Sequence, residues 1–139
     1  MSQLDAYLTF DGNCAEAMRF YERVLGGKIE MMMKMSESPM KDQCGPGNGD
    51  RIMHSSLKVD GRLLMGSDAM GGQPYTPKAG FALSLVYPTV AAARAVFDRL
   101  AEGGKVDMPM DKTFWVEAFG MVTDRFGTPW MVNGGAATM

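Results

Sequence analysis

Two stretches decide the fold: Tyr21-Glu22-Arg23-Val24-Leu25-Gly26-Gly27-Lys28-Ile29-Glu30-Met31, and Phe97-Asp98-Arg99-Leu100 followed by Gly103-Gly104-Lys105-Val106-Asp107-Met108. In both, an aromatic, an acid, an arginine and an aliphatic residue lead into Gly-Gly-Lys, then an aliphatic residue, an acid and Met. Phe97 lies 76 residues after Tyr21, and Gly104 lies 77 after Gly27. Self-similarity at a fixed offset marks a repeated supersecondary unit, so the chain reads as two like halves.

The flanks of each copy agree. Leu4, Ala6, Leu8 and Phe10 alternate with Asp5, Tyr7 and Thr9, and Phe81, Leu83 and Leu85 alternate likewise, the pattern of half-buried strands. Asn13 followed by Glu16 has the spacing of a capping box, which predicts a helix from about Cys14 to Leu25 that stops at Gly26-Gly27. Thr89 caps a second helix from about Val90 to Glu102, whose Ala93, Val96, Phe97 and Leu100 form an apolar stripe. Strands are expected at Lys28–Met35, Ile52–Val59 and Arg62–Ser67, the last two joined by a tight turn at Asp60-Gly61. Their counterparts are Lys105–Met110, Phe119–Asp124 and Thr128–Asn133. The expected architecture is α+β, a single domain of two βαβββ modules over 1–67 and 79–135. A linker at 68–78, containing Gly71-Gly72, joins them. Ser36 to Arg51, with three Gly and two Pro, reads as a long loop.

Composition narrows the function. The 139 residues fit one domain or two small modules. Lys and Arg number 14 against 16 Asp and Glu, a net charge of −2 without a basic block, so nucleic acid and membrane are not expected partners. No run approaches the roughly 18 apolar residues of a membrane span, and the N-terminal residues lack the pattern of a secretory signal. The expected compartment is the cytoplasm, in keeping with only two widely separated cysteines, Cys14 and Cys44. His54 is the single histidine, so one chain offers one imidazole. Methionine is the anomaly, at 15 residues. Thioethers fill irregular cores and line permissive pockets. Alternate members of Met31-Met32-Met33-Lys34-Met35 point to opposite faces, so one face is expected to meet a ligand or a second chain.

With two βαβββ modules, residues 13–26 (NCAEAMRFYERVLG) and 124–133 (DRFGTPWMVN), the chain resembles the vicinal oxygen chelate superfamily of glyoxalases, bleomycin-resistance proteins and dioxygenases. Gly12-Asn13-Cys14, Met53-His54, Gly66-Ser67-Asp68, Thr113-Phe114-Trp115 and Pro129-Trp130 resemble its PhnB-like branch. The resemblance implies eight strands curled into a mixed-sheet cup of two half-barrels with helices outside, and a homodimer. It also implies a divalent metal held by His, Gln or Glu from the first and last strand of each module. Carried over by position, those ligands fall on Ala6 or Tyr7, on Leu64 or Met65, on Ser84 and on Met131. None is an imidazole or carboxylate, so neither metal nor other cofactor is expected.

The candidate ligand-binding residues are His54, Asp68, Phe114, Trp115, Glu117, Met131 and Asn133. By strand parity His54 shares a face with Ile52, Ser56 and Lys58, the more polar side. It reads either as a functional imidazole or as a hydrogen-bonded structural one. Asp68 reads equally as a ligand-facing carboxylate or a turn former. Phe114, Trp115 and Glu117 are expected between strands, with Trp130 packed inward. No catalytic residue is assigned. G-x-S-x-G, a Walker loop and Cys-x-x-Cys are all missing from the sequence. A methyltransferase, the label the PhnB-like branch has also carried, needs a strand, Gly-rich loop and helix for its nucleoside cofactor, and this pattern lacks them. The expected function is binding of a small organic molecule in a metal-free cup. Alternatives are a metal-dependent lyase, isomerase or dioxygenase with a rearranged site around His54, and an antibiotic-sequestering binder.

Overall fold

The computed structural model describes residues 2–70 and 74–138. Gly71 and Gly72 of the expected linker lie outside the described residues. The elements run β1 (Ala6–Phe10), α1 (Cys14–Leu25), β2 (Lys28–Lys34), a short 3-10 turn (Met35–Glu37), β3 (Ile52–Val59), β4 (Arg62–Asp68), β5 (Leu83–Tyr87), α2 (Val90–Leu100), β6 (Lys105–Asp111), β7 (Val116–Thr123) and β8 (Pro129–Ala137). The eight strands form two four-stranded mixed sheets, ordered β1-β4-β3-β2 and β5-β8-β7-β6, each with one helix. The chain divides into two compact units, Met1–Thr76 and Pro77–Met139.

The repeat is visible in the strand register. In the first unit β1 and β4 run parallel with Ala6 beside Leu64 and Tyr7 beside Met65. In the second, β5 and β8 run parallel with Leu83 beside Trp130 and Ser84 beside Met131. The strand after each helix carries a bulge at the same place, between Ile29 and Met31 in β2 and between Val106 and Met108 in β6. The Gly-Gly pair ending each helix explains why the motif recurs. Gly26 and Gly103 take positive φ, 73° and 71°. A Cβ on Gly27 would meet the Lys58 carbonyl oxygen, and one on Gly104 that of Thr123. One glycine reverses the chain, and the next lets it pass under the neighbouring strand.

Helix α1 buries Cys14, Ala17, Met18, Phe20, Tyr21 and Val24. Beneath it lie Leu8 and Phe10 of β1, Leu57 of β3 and Leu64 of β4. At about 1.5–3 kcal/mol for each fully buried large apolar side chain, this layer holds the first unit together. In the second, Ala93, Phe97 and Leu100 of α2 meet a sheet core of Val122, Trp130 and Val132.

The cap of α1 differs from expectation. Asn13 makes no side-chain capping bond. The carboxylate of Asp68 does that work from the end of β4: its Oδ1 accepts from the backbone N–H of Gly12 at 2.7 Å and of Cys14 at 3.0 Å. Thr89 caps α2 as expected, its hydroxyl accepting from Ala92 N–H. Two strands run longer than the alternation suggests. β7 begins at Val116, placing Glu117 within a strand, and β8 continues to Ala137. The long 36–51 loop is knitted to its base, Ser36 N–H donating to Gly49 and Met35 N–H to Arg51. Ser38 and Cys44 are buried in it, and Met35 at its base.

Candidate functional site

Strand parity separates two faces of the first sheet. Leu8, Phe10, Ser55, Leu57, Leu64, Gly66 and Asp68 face the helix and are buried. Tyr7 of β1, His54 and Ser56 of β3, and Met65 of β4 lie on the helix-free face, half-buried or exposed. Met33 stands beside His54, and Met31 beside Ser56, in the β2–β3 pairing. Met32, beside Ser55, turns to the helix side, where it lines a shallow depression with Ala15 and Arg19. The alternating thioethers of β2 therefore divide between the helix side and the open face.

Tyr7 and His54 form the centre of this face. The phenolic oxygen lies 3.3 Å from His54 Nδ1, and the rings stack with centroids 5.7 Å apart and planes inclined by 29°. β4 runs between their strands. The contact therefore crosses β4 diagonally, since Tyr7 stands beside Met65 and Met65 beside Ser56, two residues along β3 from His54. One part of the parity reading needs correction: Ile52 does not share the face of His54. A register irregularity between Met33 and Lys34 sets Ile52 opposite Lys34, and Ile52 is buried.

Asp68 lies on the other side of the sheet. It is 4% exposed, and its second oxygen accepts from Ile52 N–H at 2.8 Å. With three backbone N–H groups bound it is a structural carboxylate, and it does not join His54. Asp124 plays a similar part in the second unit, accepting from the N–H groups of Phe126 and Thr128 and from the indole N–H of Trp130. Trp130 is buried, as expected.

On the helix-free face of the second sheet, Asn133 stands beside Phe119, and Met131 beside Met121 and Ser84. Trp115 packs edge-on against Phe119 at 5.2 Å and Phe114 edge-on against Trp115 at 4.8 Å. Phe114 remains 73% exposed. Of the expected residues, Trp115 and Asn133 thus adjoin Phe119, Phe114 follows through Trp115, and Met131 stands one pair further along beside Met121. Glu117 is engaged elsewhere, on a bulge, where its Oε1 accepts from Ala136 N–H at 2.6 Å.

A superfamily model described as glyoxalase/bleomycin resistance protein/dioxygenase matches residues 3–132. The chain belongs to this superfamily. It is 37% identical over 140 residues to protein YjdN of Escherichia coli, covering 94% of this chain and 93% of that one. The structure of protein PA1353 from Pseudomonas aeruginosa superposes with a TM-score of 0.89 at 43% identity, over 97% of this chain and 98% of that one. A Bacillus cereus protein described as a putative 3-demethylubiquinone-9 3-methyltransferase, PhnB protein, shares the fold with a TM-score of 0.80 at 24% identity, over 95% and 98%.

The superfamily's metal positions can now be placed on the sheets. Register resolves the alternatives of the sequence: Leu64 is buried on the helix side, whereas Tyr7 and Met65 are neighbours on the open face, and Ser84 and Met131 are neighbours in the second unit. Tyr7 and Met65 offer a phenol and a thioether in the first unit, and Ser84 and Met131 a hydroxyl and a thioether in the second, where a divalent ion needs imidazole and carboxylate. Neither pair fits the superfamily's metal. Among the described residues no three His, Cys, Asp or Glu side chains gather as a metal cluster would, and no helix is long and apolar enough to cross a membrane.

Sequence reading missed Tyr7 and Met65 as site residues, treating them only as positions for absent ligands. Their alternation with the apolar Ala6–Leu64 row was the available clue.

Proposed function

We propose that this protein binds a small organic molecule at the helix-free face of its first sheet, around Tyr7 and His54, without the superfamily's divalent metal, and that it works as a cytoplasmic homodimer. The observation that carries the reading is the cross-strand pair Tyr7–Met65 at the position of the metal ligands. A hydroxyl and an imidazole can orient a polar group, while the thioethers of Met33 and Met65 adapt to the shape of an apolar body. The low net charge gives no support to sequestration of a strongly cationic drug.

The test is a thermal-shift screen of a metabolite library, run beside Zn(II), Ni(II), Mn(II) and Co(II), on the protein and on Tyr7→Phe and His54→Ala. A ligand at 100 times its Kd adds about 2.7 kcal/mol of stability. The expected result is a hit whose shift shrinks in both variants and is indifferent to chelator. A stoichiometric divalent ion lost on His54→Ala overturns the reading in favour of a metal-dependent enzyme. Sedimentation velocity tests the homodimer.

A further inference from the structure

The same face holds a second kind of chemistry that goes beyond organic-ligand binding. Met33 is the direct cross-strand neighbour of His54 on one side. On the other, Met65 is paired with Ser56, two residues along β3 from His54, which makes it a diagonal neighbour. Directly opposed side chains start about 5 Å apart at Cβ and diagonal ones about 7–8 Å. Two unbranched torsions, about Cα–Cβ and Cβ–Cγ, let each thioether sulfur swing towards the imidazole. Two soft thioethers and one imidazole are the donors that select a monovalent d10 ion over divalent ions that prefer oxygen and nitrogen.

The Tyr7 contact completes the arrangement. When Nδ1–H donates to the phenolic oxygen, 3.3 Å away, the lone pair of Nε2 is left to coordinate, the pattern in which a ligating histidine is oriented by its other nitrogen. The ring stacking fixes its plane. Met31, 38% exposed and two residues from Met33 on the same face, is a reserve thioether at the rim.

We infer that His54, Met33 and Met65 form a binding site for Cu(I) or Ag(I), oriented by Tyr7. No change of oxidation state is involved. The ion enters as a closed-shell cation and leaves as one.

Ag(I) serves as the redox-inert probe, titrated calorimetrically into the reduced protein with no organic ligand present, so that failure here leaves the organic-ligand reading standing. Cu(I) is measured separately under anaerobic competition with a chromophoric chelator. The expected result is one ion per chain, with affinity falling roughly tenfold or more in each of Met33→Leu, Met65→Leu and His54→Gln, and Zn(II) giving no heat. Leucine preserves volume at these half-buried positions, and an unchanged melting temperature verifies the fold. Tyr7→Phe is expected to weaken binding less than loss of a ligand. Absence of binding overturns the inference. So does binding that survives the two Leu variants, since it would then reside on the thiols of Cys14 or Cys44.

Discussion

The phenolic oxygen of Tyr7 meets Nδ1 of His54 at 3.3 Å across a strand that belongs to neither residue. The pair is thus anchored at two points in the sheet and joined above it. Tyr7 is 50% exposed, so Tyr7→Phe is expected to change unfolding free energy by no more than about 0.5 kcal/mol. It should nevertheless alter the His54 ring resonances in an NMR spectrum. A large loss of stability would show the contact to be structural rather than part of a site.

Asp68→Asn is expected to be costly. The side chain keeps one oxygen for Gly12 and Cys14 but turns an NH2 towards the N–H of Ile52, or the reverse, leaving buried donors facing each other. A loss of roughly 2–3 kcal/mol in urea unfolding is the expected outcome. Asp124→Asn should behave alike, through Phe126, Thr128 and Trp130.

The Gly-Gly pairs make a graded prediction. Gly26→Ala places a Cβ in open space at φ 73°, costing about 1 kcal/mol of left-handed strain. Gly27→Ala drives a Cβ to 2.5 Å from the Lys58 carbonyl oxygen, and Gly104→Ala does the same to Thr123. Both should cost roughly 2 kcal/mol or more. Equal losses at Gly26 and Gly27 would contradict the geometry.

The two thiols should react in a fixed order. Cys14 is 0% exposed on the buried face of α1, and Cys44 is 4% exposed within the 36–51 loop. Loops open locally at lower free energy than a helix packed on a sheet. A thiol reagent under native conditions should therefore label Cys44 first, and Cys14 only at the rate of unfolding of the first unit.

Much of this was legible in the chain. The bounds of α1 follow from Asn13 and Gly26-Gly27, and the duplicated motif gave both modules. What escaped depended on contacts distant in sequence. Asn13 resembles a cap, yet a carboxylate 54 positions beyond Cys14 supplies the bonds. Alternation predicted the faces correctly along β3 until the irregularity opposite Met33–Lys34, which turned Ile52 into the core. Glu117 looked like part of a loop because Thr113, Phe114 and Trp115 precede it, and only pairing with β8 makes it a strand residue. Tyr7 acquires meaning only when β4 brings Met65 to its side.

Met31 and Met108 occupy matching places beside the bulges of β2 and β6, 38% and 45% exposed, while Met18 and Met35 are sealed at 0% and 1%. Peroxide arriving from solvent therefore meets the edge sulfurs first. A sulfoxide there adds polarity to a surface already in water, whereas the same oxygen on Met18 would split α1 from its sheet. Oxidation is thus expected to change the solvent-facing edges of β2 and β6 while Met18 and Met35 still hold the core.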